Sequence, residues 1–285
     1  MIGNTEAVDV EPSEKWLNAG GFRTRYLEAG NPRAPVVVLL HDGAWGGASS
    51  VTWANVIPRL SERYRVLAPD LLGFGGTDKV VFVDRAQYEP RILQLRAFLQ
   101  ALAIHAPVHL IGNSFGGSLG LRALAAREAF PIRSVVSICG SGGPGKTELS
   151  LAELKHWDGT ENDLRRIVDL LIDGTPYYAA QLSERMRWAA DIGHYRAVKA
   201  ASTPLPPALG RPRVTDPWPS QLDGFSTPIM LVSGQRDVLL QPSWTAMLTA
   251  IVPHARVESL DCKHSPNIDR PELLLPVLLH FLDRS

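Results

Sequence analysis

The sequence lacks the features that mark several classes of protein. It has only two cysteines, Cys139 and Cys262, which lie far apart and do not make a disulfide framework. Its 29 Lys and Arg residues balance 29 Asp and Glu residues, and this zero net charge argues against a nucleic-acid or acidic-membrane partner. No apolar run approaches the length of a membrane span, and Met1–Lys15 lacks the layout of a secretory signal. We therefore expect a cytoplasmic protein whose partner is a small, largely uncharged molecule.

What the sequence does contain is an alternation of strands and helices. At 285 residues and 31.2 kDa the chain is large enough for one domain with an inserted lobe. Near-continuous aliphatic runs such as Pro35–His41 are typical of strands covered on both faces, and they predict a parallel sheet of the α/β class. The strand pattern stops from about Glu148 to Pro217, where helical sequence takes over. We predict a core in two parts, 1–143 and 218–285, and a helical lid at 144–217.

The heptapeptide Gly112–Ser118 is the most informative motif. It follows a predicted strand, Val108–Ile111, and precedes a helix-forming stretch at 119–127. A serine between glycines at such a turn is typical of a nucleophile elbow, in which a strained turn lifts the hydroxyl above the sheet. Turns rich in Gly and Ser also occur by chance, but here an acid and a histidine follow in the expected order. We predict that Ser114 is a nucleophile.

A serine hydroxyl needs a base to lose its proton near neutral pH. Of the eight histidines, His264 is the strongest candidate because it lies in the loop after the last predicted strand. The acid that orients its imidazole should follow a strand between Ser114 and His264. Asp237 does so, whereas Asp216 and Asp223 precede that strand. The predicted catalytic residues are therefore Ser114, Asp237 and His264.

The oxygen that becomes negative during such a reaction needs two hydrogen-bond donors. In an elbow, one donor is the backbone N–H after the nucleophile, here Phe115, and the other comes from the loop after the third strand, here Gly43 or Ala44. His41 begins that loop. We expect it to shape the loop by hydrogen bonding rather than to transfer protons, because the chain order would otherwise be wrong.

The segment Gly140–Thr147 supports an alternative hypothesis, nucleotide binding, because it matches the P-loop pattern GxxxxGK[ST] between a strand and a helix. A P-loop enzyme also needs a second strand ending in an acid that holds Mg²⁺. The later strand of that form ends at Asp237, which the proposed triad uses, and most parallel strands precede the loop. We interpret the segment as the connection into the lid.

Several motifs resemble those of a known family. Over its whole length the chain resembles the α/β-hydrolase superfamily, and Gly112–Gly117 is similar to the elbow of the carbon–carbon bond hydrolases that act on meta-cleavage products of aromatic degradation. Further similarities are Pro69–Gly75, Asn113 before the nucleophile, Arg187-Trp188 in the lid, and Cys262 two residues before the histidine.

This resemblance implies a mostly parallel eight-stranded sheet flanked by helices, with an inserted helical lid and no metal or organic cofactor. It implies a vinylogous 1,5-diketone substrate with a carboxylate end, whose dienol is first ketonised and whose C–C bond is then cut with the help of Ser, His and Asp. Asn113 and Arg187 would help to bind the dienol and the carboxylate. The predicted substrate-binding residues are Asn113, Arg187, Trp188, His41 and Cys262.

The chain departs from the family at two places, and alternatives stay open. The family usually has His-Gly-x-Gly-Pro-Gly where this chain has His41-Asp42-Gly43-Ala44-Trp45-Gly46-Gly47, and usually has Trp where this chain has Ser265. The triad alone does not distinguish a vinylogous ketone from an ester, so a carboxylesterase or related acyl hydrolase acting on a small apolar ester is the alternative function. A non-catalytic protein of the same fold is a third hypothesis. For the assembly we consider a homodimer or a higher homo-oligomer.

Overall fold

In the computed structural model, which describes residues 11–83, 86–126, 129–174, 176–203, 206 and 215–285, eight strands form one sheet. The strands are β1 (Ser13–Ala19), β2 (Phe22–Ala29), β3 (Val36–Leu40), β4 (Arg65–Pro69), β5 (Val108–Asn113), β6 (Ile132–Ile138), β7 (Ile229–Gly234) and β8 (Arg256–Leu260). Their order is β1-β2-β4-β3-β5-β6-β7-β8. The β1–β2 and β2–β4 pairs are antiparallel and the other five pairs are parallel. The predicted α/β class with a mostly parallel eight-stranded sheet is confirmed.

Helices connect these strands. They are α1 (Ser49–Trp53), α2 (Ile57–Ser61), α3 (Tyr88–Ala101), α4 (Phe115–Ala125), α5 (Glu148–Glu153), α6 (Glu161–Leu171), α7 (Tyr178–Ala189), α8 (His194–Lys199), α9 (Trp244–Thr249), α10 (Pro266–Asp269) and α11 (Pro271–Leu282). Within the described ranges, none of the helices combines the length and the apolar character that crossing a bilayer requires.

The central strands are apolar and fully covered, as their sequences predict. In β3, Val37, Val38, Leu39 and Leu40 are all buried, and every residue of β5 is buried. In contrast, β8 lies at the edge of the sheet and alternates between half-buried and exposed residues. Burial on both faces of β3 and β5 fixes their register against each other, so the loops that follow these two strands are held side by side.

The predicted lid is helical where the structure describes it. One face of α6 packs into a core of its own with two tryptophans, Trp45 and Trp157, and buries Leu164, Ile167, Val168 and Leu171. The Thr160 hydroxyl accepts a hydrogen bond from the N–H of Asp163 and so caps the start of α6. Because residues 207–214 lie outside the described ranges, the division into 1–143, 144–217 and 218–285 stays a prediction.

Some helix bounds differ from those predicted. The sequence predicts one helix from about Trp53 to Glu62, whereas the structure has two short helices, α1 and α2, separated by a turn at residues 54–56. The helix after the elbow begins at Phe115 rather than Leu119, and its predicted end, Arg127, lies outside the described residues. Apolar spacing locates a helix but defines its ends poorly, since terminal residues need not belong to the buried face.

The elbow itself is strained in the way that the motif predicts. Ser114 has φ 56° and ψ −114°, a conformation that L residues seldom adopt. A Cβ on Gly116 would overlap the carbonyl oxygen of Leu40, and a Cβ on Gly112 would overlap the backbone of Gly116. The sharp turn therefore depends on backbone contacts that a side chain at either position would block.

Replacement of Gly116 by Ala should destabilise the protein by about 1–3 kcal/mol, the usual cost of overpacking, because the Leu40 carbonyl has to move. Gly120→Ala in the same helix is the control. Its Cβ would meet nothing closer than 3.4 Å, so stability should stay unchanged or rise by up to about 1 kcal/mol. Urea unfolding measures both, and equal effects of the two substitutions would contradict this view of the elbow.

Candidate active site

Three side chains from separate loops meet beyond the carboxyl ends of the parallel strands. Nε2 of His264 lies 2.8 Å from Oγ of Ser114, and Nδ1 lies 2.8 Å from Oδ2 of Asp237. The side chains of His264 and Asp237 are only 3% and 4% exposed. The serine follows β5, the acid follows β7 and the histidine follows β8. The sheet therefore brings together groups that are up to 150 residues apart in the sequence. Two successive hydrogen bonds thus link all three predicted residues.

The Asp237 carboxylate is held in its ionised form. Burial alone would raise its pKa, but His264 beside it and the N–H of Leu239, which donates to Oδ1 at 2.8 Å, lower the pKa below its ordinary value. An ionised carboxylate favours a proton on Nδ1 of the imidazole and so leaves Nε2 free to accept one. The arrangement therefore presents a base to the serine hydroxyl.

Asn113 holds the loop that carries His264. Its side-chain amide donates to the carbonyl oxygens of His264 at 3.0 Å and Ile138 at 3.3 Å, and its oxygen accepts from the Ser265 hydroxyl at 3.0 Å. The N–H of Ser265 in turn donates to the carbonyl of Leu171, at the end of lid helix α6. The hydroxyl of Ser265, where the family usually has tryptophan, thus links the histidine loop to the elbow, and the backbone N–H of the same residue links it to the lid.

Among the residues that the structure describes, one cluster has the spacing of a metal site. The ligand atoms of Cys139, Asp237 and His264 all lie within 4.8 Å of one another. Burial, together with the charge of Asp237, raises the pKa of the Cys139 thiol well above its usual value, so the sulfur stays protonated and binds metals poorly. Since both imidazole nitrogens already have hydrogen-bond partners, the cluster suits proton transfer better than metal binding.

A cavity of about 300 Å³ lies above Ser114, between the elbow and the lid. Its apolar wall includes Phe74, Leu151, Leu154, Leu171, Val198 and Leu240. Its charged groups are all cationic: Arg91, Lys146 and Lys155. No described Asp or Glu lines it. The cavity therefore suits a small molecule that is apolar in part and negatively charged in part.

The loop after β3 is organised by Asp42, the residue that stands where the family usually has glycine. The buried carboxylate accepts hydrogen bonds from the Ala44 N–H at 2.9 Å and the Thr52 hydroxyl at 2.7 Å, and it pairs with both terminal nitrogens of Arg185 at 3.1 and 2.8 Å. Burial opposes its ionisation, but Arg185 lowers the pKa of Asp42 to about 2. Because Arg185 belongs to α7, this ion pair ties the loop to the lid.

Two backbone N–H groups adjoin the serine. Phe115 is the first residue of α4, so its N–H has no acceptor within the helix. The N–H of Gly43 makes no hydrogen bond within the described part of the chain, and a Cβ on Gly43 would lie 2.8 Å from that of Phe115. Both residues line the cavity. The N–H of Ala44 instead donates to the Asp42 carboxylate. Of the two candidate donors in this loop, Gly43 is therefore the one whose N–H has no acceptor among the described residues.

Comparison with known proteins identifies the family. The model of the alpha/beta hydrolase family matches residues 37–277. This chain belongs to the α/β-hydrolase family. It is 30% identical over 284 residues to the 2-hydroxy-6-oxo-6-(2'-aminophenyl)hexa-2,4-dienoic acid hydrolase of Metapseudomonas resinovorans. The alignment covers 95% of this chain and 91% of that relative. The expected class, a hydrolase with a Ser-His-Asp triad that resembles the meta-cleavage product hydrolases, is confirmed.

Solved structures agree with this hydrolase fold. A serine hydrolase involved in carbazole degradation superimposes with a TM-score of 0.79 at 27% identity, covering 96% of this chain and 100% of that one. The 2-hydroxy-6-oxo-6-phenylhexa-2,4-dienoate hydrolase of Rhodococcus sp. strain RHA1 superimposes with a TM-score of 0.83 at 24% identity, covering 97% and 100%.

The residues predicted to bind substrate from the lid point elsewhere in this hydrolase. Arg187 is exposed and pairs with Glu184 on the outer side of α7, and neither Arg187 nor Trp188 lines the cavity. The Trp188 indole packs between α7 and α1 instead, with its N–H on Ser50 and Glu184. Helical spacing explains the difference, because Arg185, two residues earlier, occupies the inward face that Arg187 was expected to occupy.

The other three predicted substrate-binding residues make contacts within the protein, and none of them lines the cavity. His41 is fully buried; its Nε2 accepts the N–H of Leu71 at 2.9 Å and its Nδ1 lies 2.6 Å from the Asp42 carbonyl, so it shapes the loop. The side chain of Asn113 makes hydrogen bonds to His264 and Ser265 in the histidine loop. Cys262 is buried, and burial raises the pKa of its thiol to about 12.

The P-loop-like segment has a structural explanation. The Trp218 ring lies where a Cβ of Gly142 would be, and its indole N–H donates to the Ser141 carbonyl at 3.0 Å, so the indole occupies the concave side of the glycine turn. The Thr147 hydroxyl accepts the N–H of Ser150 and caps α5. Lys146 lines the hydrolase cavity. The segment thus serves as the connection into the lid.

Sequence reasoning missed the Asp42–Arg185 pair and the cavity cations Arg91 and Lys155. The spacing of apolar residues along α3 indicates a helix, but it does not show that the charge of Arg91 is buried. The sequence does place an acid, Asp42, where the family usually has glycine, and an acid that becomes buried at such a position needs a partner.

Arg185→Met should destabilise the protein by about 3–5 kcal/mol, because it leaves the Asp42 carboxylate buried without its partner. Arg187→Met, two residues along the same helix, removes an exposed pair and should cost at most about 1 kcal/mol. Denaturant unfolding near neutral pH compares the two. A larger effect at residue 187 would show that this reading of the lid is wrong.

Proposed function

We propose that this hydrolase cleaves a carbon–carbon bond in a vinylogous diketone that carries a carboxylate, a ring-cleavage product of aromatic degradation. The observation that carries the proposal is the charge of the cavity: Arg91, Lys146 and Lys155 surround the space above Ser114 without a described acid among them. The names of its relatives support the same substrate class, since dienoic acids are carboxylates at neutral pH.

The charge of the cavity favours this substrate over a neutral ester. Taking a cation out of water is costly unless an anion accompanies it, so a buried cation in the cavity wall favours an anionic ligand. Arg91 is buried and would stay unpaired beside a small apolar ester, whereas Lys146 and Lys155 are exposed at the same cavity and remain hydrated. The balanced charge of the whole chain is compatible with a cationic cavity, because ion pairs elsewhere neutralise the remaining charges.

Ser114, His264 and Asp237 then act in one sequence. After ketonisation of the dienol, the Ser114 hydroxyl adds to the ketone carbon while His264 accepts its proton and Asp237 stabilises the resulting imidazolium. Collapse of the adduct breaks the C–C bond, and the electron pair delocalises into the vinylogous keto acid, which takes the proton from His264. Water, deprotonated by His264, then releases the acyl group as a carboxylic acid.

The oxygen that becomes negative in the adduct is stabilised by the N–H groups of Phe115 and Gly43. Phe115 also begins α4, whose N-terminal end carries a partial positive charge. Loss of one such donor typically raises the barrier by about 3–4 kcal/mol. The position of Gly43 against Phe115 and the bond from Ala44 to Asp42 support this assignment over one that uses Ala44.

A cytoplasmic location is part of the proposal. It is supported by two cysteines that are buried and unpaired, as is usual in a reducing compartment. A homodimer or higher homo-oligomer stays a prediction, which light scattering measures.

Ser114→Ala should lower the rate of cleavage of 2-hydroxy-6-oxo-6-phenylhexa-2,4-dienoate by on the order of 10⁴-fold or more, since the nucleophile is lost. The absorbance of the coloured dienolate reports the reaction. The unmodified enzyme should also cleave the dienoate with a higher kcat/KM than p-nitrophenyl butyrate. Preference for the ester would instead support a carboxylesterase, and rates unchanged by Ser114→Ala would refute both functions.

A further inference from the structure

Arg91 is a buried cation in the wall of the active-site cavity. It lies on α3, is only 2% exposed, and lines the same cavity as Ser114 and His264. Nη1 donates to the carbonyl and the side-chain oxygen of Gln87 at 2.8 and 2.9 Å, and Nη2 donates to the Leu72 carbonyl at 2.7 Å. All of these partners are neutral, so the guanidinium is oriented but not neutralised.

The charge of Arg91 lacks a counter-ion among the described residues. No described carboxylate pairs with it, and its Nε is buried without any hydrogen-bond partner in the described part of the chain. Burial lowers its pKa to about 10, which still leaves it charged at neutral pH. By comparison, Arg25 pairs with Asp70 and Arg185 pairs with Asp42, as buried arginines normally do. Arg91 therefore has both an unmet charge and an unmet donor beside the cavity.

The position of Arg91 is fixed relative to Ser114. Its guanidinium lies 5.3 Å from the ring centre of Phe115, the residue after the serine, and 5.6 Å from that of Phe74. Its partner Leu72 follows β4, on one side of β5, whereas Lys146 pairs with Leu240 after β7, on the other side. The buried Arg91 and the exposed Lys146 thus lie on opposite sides of the serine.

We propose that Arg91 binds the carboxylate of the substrate, the role that the family resemblance implied for Arg187. This assignment rests on the proposed function. It also predicts how the substrate lies in the cavity. The dienoate half extends from Ser114 toward β4 and Arg91, and the acyl half extends toward β7 and Lys146. Arg91 lines the cavity and has an N–H on Nε without an acceptor among the described residues, and a guanidinium can bind a carboxylate through two parallel hydrogen bonds.

The test compares substrates that differ only in the carboxylate of the leaving half: 4-acetoxybenzoate and its methyl ester, with the dienoate measured in parallel. Arg91→Gln should raise KM for 4-acetoxybenzoate and the dienoate by about 10- to 150-fold, the range for loss of a charged hydrogen bond. The KM for the methyl ester should not change. Arg91→Lys should give a smaller rise, because it keeps the charge but loses the planar fork. Arg96→Gln, an exposed arginine on the same helix, is the control and should change none of these values.

Thermal unfolding of each variant identifies loss of the fold, and if Arg91→Gln does not fold, Arg91→Lys decides by the same comparison. Equal changes in KM for the acid and its methyl ester, or no change for either, would overturn the assignment. Failure of the proposed function would give a different result. The unmodified enzyme would then cleave 4-acetoxybenzoate and its methyl ester but not the dienoate, and the preference for 4-acetoxybenzoate over the methyl ester would still depend on Arg91.

Discussion

The hydrogen bond between Nε2 of His264 and Oγ of Ser114 is the interaction on which the rest of the site depends. Much of the surrounding structure acts to maintain it. The strained backbone of the elbow directs the hydroxyl, Asp237 holds the imidazole, and Asn113 fixes the backbone of the histidine loop. These groups lie at the ends of different strands, so the order of strands in the sheet is what makes a 2.8 Å contact between them possible.

The lid is joined to the site by two polar connections rather than by apolar packing alone. One is the Asp42–Arg185 ion pair, which links the loop carrying Gly43 to α7. The other is the hydrogen bond from Ser265 to the Leu171 carbonyl, which links the histidine loop to α6. Asp42 and Ser265 are also the two positions at which the sequence departs from the pattern usual in its family. Gly43, the proposed oxyanion donor, directly follows Asp42, so the ion pair with Arg185 helps to hold the loop that carries it.

The fold and the triad could be predicted from sequence because both follow from local patterns. Aliphatic runs mark strands buried on both faces, and the elbow requires glycine two residues before and two residues after Ser114. The substrate-binding residues could not be predicted in this way, because they depend on the direction of each side chain. Arg185 and Arg187 differ by two positions on one helix, yet one is buried against Asp42 and the other is exposed. Likewise, nothing in the spacing of α3 shows that Arg91 is buried beside the cavity without a counter-ion.

The central claim, that His264 activates the hydroxyl of Ser114, is tested most directly by covalent labelling with an organofluorophosphonate followed by peptide mass spectrometry. We expect a single adduct, on the peptide that contains Ser114, and its loss when His264 is replaced by Ala, because the isolated hydroxyl is a poor nucleophile. Labelling of a different serine with Ser114 unmodified, or equally fast labelling in the His264→Ala variant, would contradict the claim.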